Sequence, residues 1–154
     1  YKSWDMSMFW NGSLGNDIFD YTALYYETPY FFNGNRSTRV LDSWSPSNTG
    51  AELPALSETT LNSEFSTANS FFVRDGSYVR LRSLQIGYTL PDTIASKLGA
   101  SSARVYYNGT NLLTLTDFTG LDPEVPRGGA LDIGVYSAQY PTNSISSLGI
   151  NIKF

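Results

Sequence analysis

The 154-residue chain contains no cysteine and no histidine. The first absence excludes disulfides without assigning a compartment, because a chain held by extensive strand pairing does not need them. The second removes the commonest metal ligand and the commonest general base. Charge is scarce too: 16% of residues are Asp, Glu, Lys or Arg, where a quarter is usual. The ten basic residues are scattered along a chain of net charge -4, which argues against nucleic acid as a partner, since phosphate backbones require clustered Lys and Arg. Long apolar runs are also missing. No stretch reaches the ~18 consecutive apolar residues of a spanning helix, and the uncharged run from Ile133 to Ile152 is full of Ser, Gly, Asn and Thr.

What is abundant is aromatic. Eleven Tyr, 9 Phe and 3 Trp make up 15% of the chain, a bias that favours strands. Four segments alternate with the period of a strand that has one apolar face. In the first, Trp4, Met6, Met8 and Trp10 oppose Asp5, Ser7, Phe9 and Asn11. In the second, Leu84, Ile86, Tyr88 and Leu90 oppose Ser83, Gln85, Gly87 and Thr89, and Pro91 closes the run. Val79 and Leu81 sit on the other parity, which predicts a bulge near Arg82 and Ser83. The third places Val105 and Tyr107 against Arg104, Tyr106, Asn108 and Thr110, with the pattern untidy around "NLL". In the last, Leu148, Ile150, Ile152 and Phe154 oppose Ser147, Gly149, Asn151 and Lys153. The expected strands lie near 2–12, 76–90, 103–116 and 143–154.

Each core stretch approaches the ~9 to 11 residues of a tilted strand crossing a bilayer. Residues 6–16, 83–91, 105–116 and 143–152 carry no charge. Two architectures fit: a half-buried sheet in water, such as a secreted β-sandwich that binds carbohydrate, or a lipid-facing barrel wall. Connection lengths favour the wall. Long connections near 13–70 and 117–142 alternate with a short one near 91–102, as in outer-membrane barrels with long outer loops and short periplasmic turns. With the last strand descending, Trp4, Tyr88, Tyr107 and Phe154 fall near the periplasmic end as an aromatic girdle. The polar parity, including Asp5, Asn11, Gln85, Arg104, Asn108, Asn151 and Lys153, would face the lumen, with Asp5, Arg104 and Lys153 placed to form ion pairs.

Residue 1 is Tyr, followed at once by a strand-like segment with no targeting pattern. The expectation is a piece of a longer chain with an arbitrary start and a natural end. "FFVRDGSYVRLRSLQIGYTLP", "ARVYYNGTNLLTLTDFTGLDPEV" and "LGINIKF" resemble the C-terminal end of the SusC-like TonB-dependent transporters of Bacteroidetes outer membranes. "MFWNGSLGNDIFDY" and "LDSWSPSNT" are similar to the preceding strand and loop of that family. "YPTNSIS" keeps the Tyr140 and Pro141 often found ahead of the last strand but lacks the accompanying Arg. The resemblance implies an all-β fold in which four antiparallel transmembrane strands form the C-terminal end of a barrel of about 22 strands. It further implies an N-terminal plug elsewhere in the protein, a SusD-like lipoprotein lid, TonB acting through the plug, surrounding outer-membrane lipid, and import of glycans or peptides. Leu148, Ile150, Ile152 and Phe154 would then form the terminal signal read during barrel insertion.

Chemistry-bearing motifs are weak. Asp122 and Glu124, with Asp117 and Asp132 nearby, could hold a calcium ion, but their spacing fits no EF-hand, and "DPE" reads as a turn fixed by Pro123. No cofactor, metal site or catalytic residue is expected. Arg127 to Gly129 reads as loop flexibility. In the first long loop "GNDIFDYTALYYE" predicts a short helix capped by Asn16 or Asp17, with Ile18, Tyr21 and Tyr25 on one side. Tyr30, Phe31, Phe32 and Trp44 are candidates for the loop's own packing, for contact with the lid or for ligand stacking.

Overall fold

A computed structural model of the chain describes residues 3–27, 34–56, 67–125 and 132–154. The chain divides into two compact units. The first is a four-stranded antiparallel sheet built from β1 (Trp4–Ser13), β4 (Tyr78–Thr89), β5 (Ser102–Thr116) and β7 (Ile145–Lys153), in the order β1-β4-β5-β7. The second contains β2 (Asp17–Asp20), β3 (Val73–Asp75) and β6 (Val135–Tyr136), with β2 in the middle, antiparallel to β3 and parallel to β6.

In the large sheet the register puts the apolar parities of all four strands on one face. Trp4, Tyr88, Val105 and Ile150 form one row, and Met6, Ile86, Tyr107 and Leu148 the next. The slip in the second segment is an irregularity in which Arg82 is skipped between Leu81 and Ser83, opposite the consecutive residues Phe9 and Trp10. One extra residue reverses the parity beyond it. Leu81 therefore pairs with Trp10 and Leu113, and Val79 with Gly12 and Leu115, on the same apolar face as Leu84 and Ile86. The untidy "NLL" stretch is the matching irregularity in β5, where Asn111 adopts a positive φ of 50° and the Leu112 side chain folds over Gly109.

The short connection carries a helix that the alternation did not reveal, α2 (Asp92–Lys97). Pro91 starts it, Asp92 occupies its first turn and Lys97 its last. Gly99, at φ +70°, ends it with amide bonds from Gly99 to the Ser96 carbonyl and from Ala100 to the Ala95 carbonyl. That pair of bonds is a Schellman cap, which requires the left-handed conformation glycine adopts without strain.

Among the described residues the second unit has two small cores: Ile18, Phe118 and Tyr136 with Val125, and Ala23, Leu24 and Phe72 with Phe19, Tyr25 and Phe71. The helix expected from Asn16 or Asp17 begins later. Asp17–Asp20 is strand β2, because β3 and β6 claim its backbone from either side, and helix α1 is confined to Ala23–Tyr26. The capping carboxylate is that of Asp20, which accepts from the amides of Thr22 and Ala23 at 3.1 and 3.2 Å. Glu27 lies between Arg39 at 2.7 Å and Arg74 at 3.2 Å, and Arg39 also reaches Glu52 at 2.8 Å, so four separate segments are tied together.

Phe72 is fully buried, so Phe72→Ala is expected to destabilise this unit by about 3–5 kcal/mol. Hydrogen exchange at the β2 and α1 amides should accelerate accordingly, whereas Leu41→Ala, at an exposed position, should change it little.

Candidate functional site

The outward parity of the sheet is apolar and open. Met6 is 61% exposed, Ile150 67% and Leu148 80%, with Trp4, Met8, Leu115 and Ile152 also exposed. A water-soluble chain rarely leaves a contiguous apolar surface of this kind uncovered. Ten residues of β1 span about 33 Å, which at a ~40° tilt projects to roughly the 25 Å apolar band of an outer-membrane barrel.

Of the four girdle candidates, Trp4 and Tyr88 are brought together, their ring centroids 4.8 Å apart in one row. Tyr107 lies one row further from that end, its hydroxyl 2.8 Å from Ser146 Oγ. Phe154 follows the last residue of β7 and is exposed. Leu148, Ile150 and Ile152 share the outward face of β7, an outer strand of the sheet.

The opposite face is polar and cross-braced. Arg104 leans over Gly87 to reach Asp5, with Nε 3.0 Å from Oδ1 and a second, closer bond from Nη2 to Oδ2. Its guanidinium lies 5.2 Å from the centroid of the Tyr106 ring, and that ring covers Gly149. A Cβ at either glycine would occupy the space of the crossing group, which would have to move aside. Ser7, Gln85, Asn108 and Ser147 form the next polar row. Asn151 sits opposite Arg104, and Lys153 opposite Ser102. Phe9 and Ile145 are apolar exceptions on this face, at the two ends of one row.

Arg80 was not singled out by simple alternation, since the parity reverses at Arg82. It is 2% exposed, donates to Thr114 Oγ1 at 2.9 Å and Thr142 Oγ1 at 2.6 Å, and lies 5.5 Å from the Tyr78 ring centroid. Asn11, opposite Arg80, has a buried Oδ1 with no hydrogen-bond partner among the described residues.

In the second unit Tyr21, Thr22, Tyr25, Tyr26, Ser137 and Ala138 line an open cleft of ≈ 480 Å³. The hydroxyls of Tyr21 and Tyr25 are 2.6 Å apart, and that bond raises the Tyr25 pKa above the usual tyrosine value. Trp44 is exposed beside the turn from Ser45 to Asn48, its amide donating to the Leu53 carbonyl. Tyr30, Phe31, Phe32 and the Arg127 to Gly129 stretch lie outside the described residues. "DPE" forms a local turn in which the Glu124 amide donates to Asp122 Oδ1 at 2.9 Å.

No family model matches the chain. TonB-dependent receptor P3 of Formosa agariphila is 35% identical over all of this chain, and receptor P26 of the same organism 31%. SusC of Bacteroides thetaiotaomicron is 28% identical, again over the whole chain. The structure of the RagAB peptide importer in its closed-closed state superposes with a TM-score of 0.78 at 26% identity, over 100% of this chain and 16% of that one. The chain belongs to the TonB-dependent receptors. It spans about 15% of the length of the curated relatives it matches.

These receptors reside in the outer membrane and are not enzymes. The β-sandwich alternative is not favoured. Gly87→Val should displace the Arg104 guanidinium from Asp5 and lower the stability of the full receptor. The check is its thermal midpoint in detergent. Adding Arg104→Ala should cost no more than Gly87→Val alone, because both remove the same bridge.

Proposed function

We propose that this chain supplies barrel wall and outer loops to an active importer of peptides or glycans. The observation that carries the reading is the two-faced sheet, apolar and exposed outward, polar and braced inward, in a chain that matches a RagAB peptide importer and SusC along its whole length. Hydrocarbon solvates the outer rows, and the inner rows line or pack the lumen. Both long connections leave the same end of the sheet, beyond Ser13 and Thr116, and the short one leaves the other. In this reading the long connections are extracellular and the short one periplasmic.

The complete protein would close these strands into a barrel of about 22 strands, plugged by a domain outside this chain. A SusD-like lipoprotein would cap the outer mouth, and TonB would deliver energy through the plug. The Leu148, Ile150, Ile152 and Phe154 series would guide insertion, and Trp4, Tyr88, Tyr107 and Phe154 would mark the periplasmic interface.

Transport is tested by uptake of fluorescent oligopeptides and oligosaccharides into cells carrying or lacking the full-length gene. Uptake of one class should disappear on deletion of the receptor and also on removal of TonB; uptake indifferent to both would refute the assignment. The wall is tested separately with lysine at neighbouring positions on opposite faces. Met8→Lys should destabilise folding into lipid vesicles by about 2–4 kcal/mol, whereas Ser7→Lys should cost far less. Equal penalties would mean that the faces have been assigned wrongly.

A further inference from the structure

The short helix α2 is amphipathic in a way its position in the sheet does not require. Ile94 and Leu98 lie four residues apart, on one side of the helix, and are 44% and 56% exposed. Ala95, adjacent to them on the helix surface, is 1% exposed, and Asp92 and Ser96 occupy the opposite arc. The Schellman cap at Gly99 fixes where the helix ends and so holds this arc in place.

The site of packing decides what the exposed pair meets. α2 packs against β5. Ala103, two residues before Val105 and on the same outward parity, is 1% exposed although its neighbours on that face are open. Something covers the outward side of β5 at this end, and the buried Ala95 and Ala100 of the α2 segment are small enough for the close approach required.

We propose that α2 is a membrane-interface anchor: it folds back over the outer face of β5 and presents Ile94 and Leu98 to the acyl boundary of the phospholipid leaflet at that end. The proposal rests on the wall reading given above. The surface is continuous with the outward rows, since Ala103 and Ile152 pair at this end and Trp4, Tyr88 and Val105 form the next row. A short helix with an apolar arc in lipid and a polar arc in water is the arrangement of interfacial helices. Lys97, in the last turn, has a stem long enough to reach headgroup phosphates.

The test uses the full-length receptor, free of other reactive cysteines, in vesicles of phosphatidylethanolamine and phosphatidylglycerol. Nitroxide labels are placed at Ile94→Cys, Leu98→Cys, Ser96→Cys and, in the wall, Met8→Cys. The ratio of collisions with oxygen to collisions with a water-soluble nickel chelate should be several-fold higher at 94 and 98 than at 96, and should approach the value at 8. Nickel-dominated signals at 94 and 98 with an oxygen-dominated signal at 8 would overturn the anchor and leave the wall intact. Nickel-dominated signals at 8 as well would overturn both. The labelled helix positions are exposed, and retention of the native thermal midpoint confirms folding of each variant.

Discussion

A backbone in hydrocarbon has to find partners for every N–H and C=O group, because no water is present to replace them. The ladders joining β1, β4, β5 and β7 would meet that demand, and the pairing they impose controls everything else on the sheet. A strict alternation running back from Leu84 would put Arg82 and Arg80 on the apolar face and turn Leu81 and Val79 to the polar one. An arginine facing mid-bilayer lipid costs about 2–4 kcal/mol. The irregularity at Arg82 shifts the parity instead, so Leu81 and Val79 join the apolar rows and Arg80 is buried among Thr114, Thr142 and the Tyr78 ring. The irregularity is what allows one strand to stay paired along its length while keeping its faces chemically distinct.

The parts of the fold that could be read from the sequence are those with a period. Trp4 to Trp10, Leu84 to Tyr88 and Leu148 to Ile152 declare strands because a sheet with one apolar and one polar face rewards alternation at every step. The slip near Arg82 was legible for the same reason, as a break in a strong pattern. α2 was not, although Pro91, Asp92, Lys97 and Gly99 together form ordinary helix start and stop signals; six residues are too few for a helical period to stand out. β2 was misread as the start of a helix, because Asn16 and Asp17 resemble caps and the partners that make it a strand, β3 and β6, lie far along the chain. Local propensity loses to pairing that a short window cannot contain.

The candidate site divides along similar lines. That Asp5 and Arg104 would be available to each other followed from their shared parity and common end. That Arg104 would cross Gly87, stack on Tyr106 and leave Tyr106 over Gly149 depends on register between three strands, which composition does not encode. The glycines are legible only in retrospect: each is the place where a neighbouring strand's side chain passes. The same holds for the second unit, whose cores draw Ile18 and Phe118, or Leu24 and Phe72, from segments separated by dozens of residues. A connection this long needs apolar packing of its own to hold one conformation, and the aromatic residues of the loops supply it.

β1 and β7 are each paired on one side within this sheet, and their outward residues are as apolar as those of β4 and β5. If lipid meets that face, the free side of each strand is also within the membrane, where an unpaired ladder is not tolerated. Charged residues, a usual protection of an exposed strand in water, are absent from the stretches 6–13 and 145–152. The physical requirement is therefore a further strand on each side. The relatives, several times longer than this chain, have the length to provide them, so the stability of this segment belongs to the assembled wall and not to four strands taken alone.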